Sequence, residues 1–303
     1  MTTVAVLGAG GVGGFVAGAL AHSGTEVLVV ARPETAEALA ETGLRIWSRA
    51  LDEEFSARPA VATELADPVD VLFAATKATG LAGALERVRA TPAVVVPLLN
   101  GLEHLNVLRA RFGAERVAAA VIRIESDRPS PGVIVQTSPW VRVDMASARP
   151  ALRASLASSA GVLREAGIEA RIGDSEVQVM WSKLARLCAL ALTTSASDRP
   201  LGYVRSDPRW RSALEGAVNE TVAVAVADGA EVDAAETLAG LDASHAELGS
   251  SMQRDIAAGR PTELDAIAGA VLRAGRRHGL RCPTVQWLAE RVALREARAV
   301  VSD

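Results

Sequence analysis

The chain opens on an apolar run, residues 3–7, that stops at the glycine-rich segment Gly8-Ala9-Gly10-Gly11-Val12-Gly13. Small apolar residues over 14–21 read as a helix, and a second apolar run over 26–31 reads as a strand. The alternation then repeats. Residues 34–42 carry a helical pattern stopped by Gly43, and 44–47 and 55–57 are short strands. A buried strand over 69–75 leads into a helix over 81–90, and an apolar strand over 93–99 into a helix over 103–112. A strand-rich stretch starts at 116–124, with 132–136 and 140–143 expected as antiparallel strands. Strands alternating with helices predict an α/β fold built on a mostly parallel, doubly wound sheet. From Ser175 onward the helical period takes over and no strand of comparable strength follows. The expected organisation is an α/β domain over 1–172 and an all-helical domain over 173–303.

Composition sharpens this picture at a few points. A length of 303 residues suits two domains. Half the residues are apolar but only 3% are aromatic, so Ala, Val and Leu must fill the cores. The net charge is −4 with no basic block, which argues against a nucleic-acid partner. No apolar run reaches membrane-spanning length, and the first strand begins without a charged leader. A cytoplasmic protein without membrane contact is expected. Cys188 and Cys282 lie in apolar surroundings without metal-ligand spacing, so buried thiols and no metal are expected.

Strand, G-x-G-x-x-G and helix in that order make a dinucleotide-binding fingerprint. Gly8 allows the tight turn, Gly10 lets the backbone approach a diphosphate, and Gly13 lets the helix lie close on the strand. With Ala9, Gly11 and Val12 they offer unpaired N–H groups and a positive dipole end to the anion. The second strand ends at Ala31-Arg32 where an NAD site usually carries an acid for the ribose hydroxyls. An arginine there can pair with a 2′-phosphate and stack on adenine, which favours NADPH. The alternative is an ordinary solvated residue at a strand end. Thr76-Lys77 and Asn100-Gly101 each follow an apolar strand at once, at the sheet edge where such folds bind ligands. Singly they are a solvated lysine and a turn; at one edge they form a candidate site.

Residues 176–194 predict a helix with an apolar stripe of Val177, Met180, Trp181, Leu184, Leu187, Cys188 and Ala191. Lys183 sits at the stripe's edge, on one row with Val179, Leu187 and Ala191. It either snorkels to solvent or reaches into a cleft. Further on, Gly259 stops one helix and Thr262 can cap the next, with Asp265 at the capping-box position and Glu263 in the first turn. Ser251 and Asp255 share a face of the preceding helix.

Together these blocks resemble the ketopantoate reductase family, the NADPH-dependent 2-dehydropantoate 2-reductases. The similarity runs from GAGGVG at the start through TKA around Lys77, LNG around Asn100 and PGV at 131–133, then WSKLA at 181–185 and SSMQRDIAAGRPTELD at 250–265. It implies an N-terminal Rossmann domain and a helical C-terminal domain like that of 6-phosphogluconate dehydrogenase. By position it makes Lys183 the general acid, with Glu263 near it and near the nicotinamide ribose. Ser251 would hold a substrate carboxylate and Asn100 would bridge cofactor and substrate, while Arg32 and Lys77 would hold the phosphate and adenosine end of NADPH. Members that reduce ketopantoate usually carry asparagines four and eight residues after the lysine and three before the serine. Here those positions are Leu187, Ala191 and Leu248. The hydride-transfer set is kept and the substrate amides are not. The expected reaction is therefore NADPH-dependent reduction of a small 2-oxo acid or ketone less polar than ketopantoate. Ketopantoate reduction for pantothenate synthesis, imine reduction, and a silent NADPH-binding sensor are the alternatives. The Ala-rich helical part can self-associate, which leaves a homodimer open.

Overall fold

The computed structural model describes residues 2–301. The chain divides into two compact units. One holds the residues up to Leu99 together with His104–Val179; the other holds Asn100–Glu103 together with the residues from Met180 on.

The first unit is built on a five-stranded sheet of β1 (Val4–Leu7), β2 (Val27–Val30), β5 (Ala60–Ala62), β6 (Val71–Ala74) and β7 (Val94–Pro97). Their order is β5-β2-β1-β6-β7, and every pairing is parallel. Strands β1, β6 and β7 are fully buried, which is why they read as unbroken apolar runs rather than alternating ones. The chain runs outward from β1 through β2 to β5 and then returns to the other side of β1 as β6. That reversal creates a switch point beside β1. The helices of this unit are α1 (Gly11–His22), α2 (Pro33–Thr42), α3 (Leu81–Leu85), α4 (His104–Phe112) and α5 (Arg153–Glu165).

A second sheet, β4 (Glu53–Ala57), β3 (Leu44–Ser48), β10 (Val133–Gln136) and β9 (Ser126–Ser130), packs on the far side of α1. A third joins β12 (Glu169–Gly173), β11 (Arg142–Ala146) and β8 (Ala119–Arg123). With sheets on both sides, α1 is buried from Gly13 to Leu20. Phe15, Val16 and Leu20 are wholly enclosed, each contributing about 1.5–3 kcal/mol of burial. Its glycines make the sandwich possible. A Cβ on Gly14 would lie 2.6 Å from Ile134 of β10, and one on Gly18 would lie 1.9 Å from Ile46 of β3.

The strands expected over 132–136 and 140–143 are present as β10 and β11, each with an antiparallel neighbour. β10 lies antiparallel to β9 and parallel to β3, whereas β11 pairs antiparallel with β8 in another sheet. One sequence expectation needs correction. The helix expected over 81–90 ends at Leu85, because Val88 is drawn into a parallel bridge with Leu65. The Leu65 N–H donates to the Arg87 carbonyl, and the Arg89 N–H donates to that of Leu65.

In the second unit the long helix α6 (Glu176–Ser197) supplies the core from Met180 on. Around it are α7 (Leu201–Ser206), α8 (Pro208–Ala227), α9 (Ala234–Asp242), α10 (Ser251–Ala257), α11 (Ala270–Arg277) and α12 (Pro283–Val301). The expected stripe of α6 is buried at Met180, Trp181, Leu184, Cys188 and Ala191, while Val177 and Leu187 are half-buried. Ala185, Ala189 and Leu192 are buried as well, so the helix is enclosed on more than one face. Burial pushes the Cys188 thiol up to about 12, which leaves it protonated and inert at neutral pH. Among the described residues no helix is long and apolar enough to cross a membrane.

Trp181 anchors α6 by donating its indole N–H to the Asp228 carboxylate at 2.7 Å, and His278 meets the other oxygen at 2.9 Å. Burial raises the Asp228 carboxyl, but the bonds from His278 and Trp181 outweigh it, and the net displacement is downward. A lowered folded value means the contribution to stability is complete above the unfolded carboxyl range, about pH 4, and is lost as pH falls through the folded value. Asp228→Asn should therefore lower the Tm at pH 7, with the gap to wild type closing below about pH 4. Paired thermal melts across pH 3–7 would reveal whether the gap closes.

Candidate active site

At the C-terminal end of β1 the chain turns through Gly8 at φ +101°. Only glycine takes that conformation without strain. The Gly8 N–H donates to the Val30 carbonyl, tying the turn to β2. A Cβ on Gly13 would fall 1.9 Å from the Gly8 carbonyl oxygen, so the first turn of α1 rests directly on the loop. Gly10 differs from both. Its backbone is extended at φ −76°, a conformation open to any residue, and a Cβ there would meet nothing within 4 Å. No packing or backbone need within the chain explains glycine at this position, and the space beside its backbone is open.

The surroundings fit an anionic dinucleotide. The N-terminus of α1 has no side-chain cap and no acidic residue in its first turn, so its dipole is uncompensated from within. Thr76, beyond β6, packs its methyl group against the Gly8 turn, and its buried hydroxyl has no hydrogen-bond partner. Arg32, beyond β2, is exposed and has no ion-pair partner among the described residues. Lys77, exposed, follows Thr76. Ala9 is buried in the loop, and Gly11 and Val12 open α1.

The third polar feature expected at this sheet edge is positioned differently. Asn100 follows β7 but is grouped with the second unit, where it joins Lys183 of α6 to Glu263. The Lys183 Nζ donates to Asn100 Oδ1 at 2.7 Å, and Asn100 Nδ2 donates to Glu263 Oε2 at 2.8 Å. Chemistry fixes the sense of the amide. An ammonium can only donate and a carboxylate can only accept, so the amide oxygen must face the lysine. Glu263 is 8% exposed, while Lys183 and Asn100 are half-buried.

The short segment carrying Asn100 is clamped at its other end. Arg273 of α11 donates to both carboxylate oxygens of Glu103, at 2.8 and 2.7 Å, and to both of Asp265, at 2.7 and 3.1 Å. Gly101, at φ +87°, lets the segment lie against the next turn, because a Cβ there would fall 2.2 Å from the Ala266 carbonyl oxygen. That turn, Asp265–Gly269, is π-helical, a local form often found beside functional groups. The capping box expected at Thr262 and Asp265 does not form. Thr262 Oγ1 does accept the Leu264 N–H at 3.3 Å, but Asp265 is engaged by Arg273, whose guanidinium also holds the carboxyl below its usual range. Thr262 instead donates to Glu296 of α12 at 2.9 Å. Sequence reasoning missed Glu103 and Arg273, which lie 170 positions apart with no local pattern to join them.

Ser251 opens α10 and is exposed, while its neighbour Ser250 is the helix cap, accepting the Gln253 N–H at 3.1 Å. Asp255, four residues on, is buried and paired with Arg260. Leu187 is half-buried, and Ala191 and Leu248 are buried.

A glycine loop of this form, at the switch point of a parallel sheet, defines a dinucleotide-binding protein of the Rossmann class, here joined to a helical unit. The chain belongs to the ketopantoate reductase family of oxidoreductases, whose members work with a nicotinamide dinucleotide. The family described as "Ketopantoate reductase PanE/ApbA" matches residues 4–149, and its C-terminal counterpart matches residues 177–296. The 2-dehydropantoate 2-reductase of Caulobacter vibrioides is 32% identical over 293 residues, covering 93% of this chain and 95% of that one. Among solved structures, 2-dehydropantoate 2-reductase from Geobacter metallireducens superposes with a TM-score of 0.88 at 25% identity, over 96% of this chain and 99% of that one. D-mandelate dehydrogenase, solved with NADH and anilino(oxo)acetate, shares the fold with a TM-score of 0.89 at 23% identity, over 98% and 99% of the two chains.

Proposed function

We propose that this protein is an NADPH-dependent reductase of 2-oxo acids less polar than ketopantoate. The observation that carries the reading is the Lys183–Asn100–Glu263 chain set beside Leu187, with Ala191 on the same helical row. The bound cofactor supplies hydride to a ketone carbon. The ketone oxygen gains negative charge as it does so. Lys183 offers that oxygen an ammonium that both stabilises the charge and donates the proton. Asn100 fixes the ammonium's direction through one charge-assisted bond, and Glu263 polarises the amide from its other side. Ser251, exposed at the start of α10, is the candidate hydrogen-bond donor to the substrate carboxylate. The choice of NADPH rests on Arg32, an exposed cation where an NAD site usually carries an acid.

The apolar row argues for an apolar substrate tail. An unpaired hydroxyl facing Leu187 would be disfavoured, since sites discriminate strongly by hydrogen bonds made or missing. The test is NADPH and NADH oxidation with ketopantoate beside phenylglyoxylate and branched-chain 2-oxo acids. Turnover of the apolar acids with NADPH, and little on ketopantoate, is expected. Fast turnover of ketopantoate alone would favour the second reading, 2-dehydropantoate 2-reductase itself, which the similarity to the Caulobacter enzyme supports. Leu187→Asn restores one amide at a half-buried position and should raise kcat/KM for ketopantoate by about 2–10-fold, the scale of one net hydrogen bond. Ala191 is a poorer choice for that substitution. It is 1% exposed, so an asparagine there buries an amide.

A further inference from the structure

β9 crosses the glycine loop, although nothing in the sequence pattern marks it as part of a ligand site. The Ser126 carbonyl oxygen lies 2.9 Å from where a Cβ on Gly11 would stand, and the Ser126 hydroxyl donates to the Gly11 carbonyl at 2.9 Å. Two residues on, Arg128 reaches back over the loop, its Nη1 donating to the Ala9 carbonyl at 3.4 Å. That is the long end of a hydrogen bond, and it uses one of five donors on the guanidinium. Arg128 is half-buried and has no carboxylate partner among the described residues.

A fixed, unneutralised cation over a carbonyl oxygen alone is a weak reason for an arginine. Its surroundings supply a better one. The uncapped end of α1, the open space beside Gly10 and the unpartnered buried hydroxyl of Thr76 gather at the same loop. Each would favour an anion there, and none brings a full positive charge. We propose that Arg128 binds the diphosphate of the dinucleotide, exchanging its long bond to Ala9 for charge-assisted bonds to phosphate oxygens. The planar fork of a guanidinium suits two such oxygens at once. Arg32, at the end of β2, would then serve the adenosine end alone, and the two arginines would divide the cofactor between them. This inference rests on the dinucleotide-binding reading of the loop.

Two partial ligands separate the roles, and isothermal titration calorimetry on the full chain reads both without any turnover. ADP-ribose carries the diphosphate and no 2′-phosphate; adenosine 2′-monophosphate carries the reverse. Arg128→Gln should weaken ADP-ribose by roughly tenfold or more, the scale for a hydrogen bond to a charged group, and leave adenosine 2′-monophosphate unchanged. Arg32→Gln should do the opposite. Arg128→Lys keeps the charge without the fork and should fall between wild type and the glutamine variant for ADP-ribose. If Arg128→Gln does not fold, the lysine variant decides alone. ADP-ribose affinity equal to wild type in the variants would overturn the proposal, as would a loss confined to adenosine 2′-monophosphate. Failure of the wild-type protein to bind NADPH, NADH or ADP-ribose at all would instead remove the dinucleotide reading beneath it.

Discussion

Replacing Lys183 by methionine is expected to lower kcat by about 10²–10⁴-fold, the range for a positioned general acid, with dinucleotide affinity unchanged. Methionine keeps an unbranched, apolar stem but has neither charge nor proton. Asn100 Oδ1 then loses the ammonium that faces it at 2.7 Å, and on the proposed reading the ketone oxygen would gain charge with nothing to receive it. The split between kcat and cofactor binding follows from the proposed roles, in which Lys183 serves the ketone oxygen and the glycine loop the dinucleotide. Steady-state kinetics combined with calorimetry for NADPH read the two quantities separately. A kcat near the wild-type value would take the acid role away from Lys183. A matching loss of NADPH affinity would make its role one of binding.

The second large effect divides two glycines only three residues apart. Gly13→Ala places a methyl group 1.9 Å from a backbone oxygen that cannot move without breaking the Gly8 turn. Overpacking of this kind costs about 1–3 kcal/mol and occasionally more, so the Tm should fall clearly and binding should fall with it. Gly10→Ala meets nothing within 4 Å and asks for no unusual backbone angle. Its stability should stay within about 0.5 kcal/mol of wild type. On the proposed dinucleotide reading of the loop, its affinity for NADPH should nevertheless drop at least as far as that of Gly13→Ala, because the methyl group would stand where the diphosphate approaches. Denaturation curves and NADPH titrations on both variants provide the comparison. Intact NADPH affinity in Gly10→Ala would place the diphosphate elsewhere.

What the sequence disclosed follows from the range of the interactions involved. The run from residue 3 to 31 carries strand, turn and helix signals within one short stretch, so the central β1-α1-β2 unit was legible at once. The stripe of α6 was legible for the same reason, since its period is local. The partners of the first helix were not. Gly14 and Gly18 were legible only as small residues of a helix, and the approach of Ile134 and Ile46, from strands of the second sheet, explains why they are glycine. Val88 satisfied a helical pattern but found a strand-like partner in Leu65. Thr262 and Asp265 had the spacing of a capping box, and a stronger partner, Arg273, took the acid. Asn100 looked like one of three residues on a sheet edge, yet its hydrogen bonds run to Lys183 and Glu263, 83 and 163 positions away. In each case a local pattern suggested one use for a residue and a partner elsewhere in the chain imposed another.

The placement of residues 100–103 has a consequence for anyone who would take the molecule apart. The backbone passes from one unit to the other three times: after Leu99, after Glu103 and after Val179. Neither unit is therefore a single continuous stretch of polypeptide. A fragment beginning at Met180 would contain Lys183 and Glu263 but not the amide that links them, nor the Glu103 that Arg273 grips. Exchange of helical halves between relatives would leave that tetrapeptide behind with the donor of the N-terminal half. A functional chimera has to match its four residues to the α6 and α11 they dock on, even though they lie far from the splice in sequence.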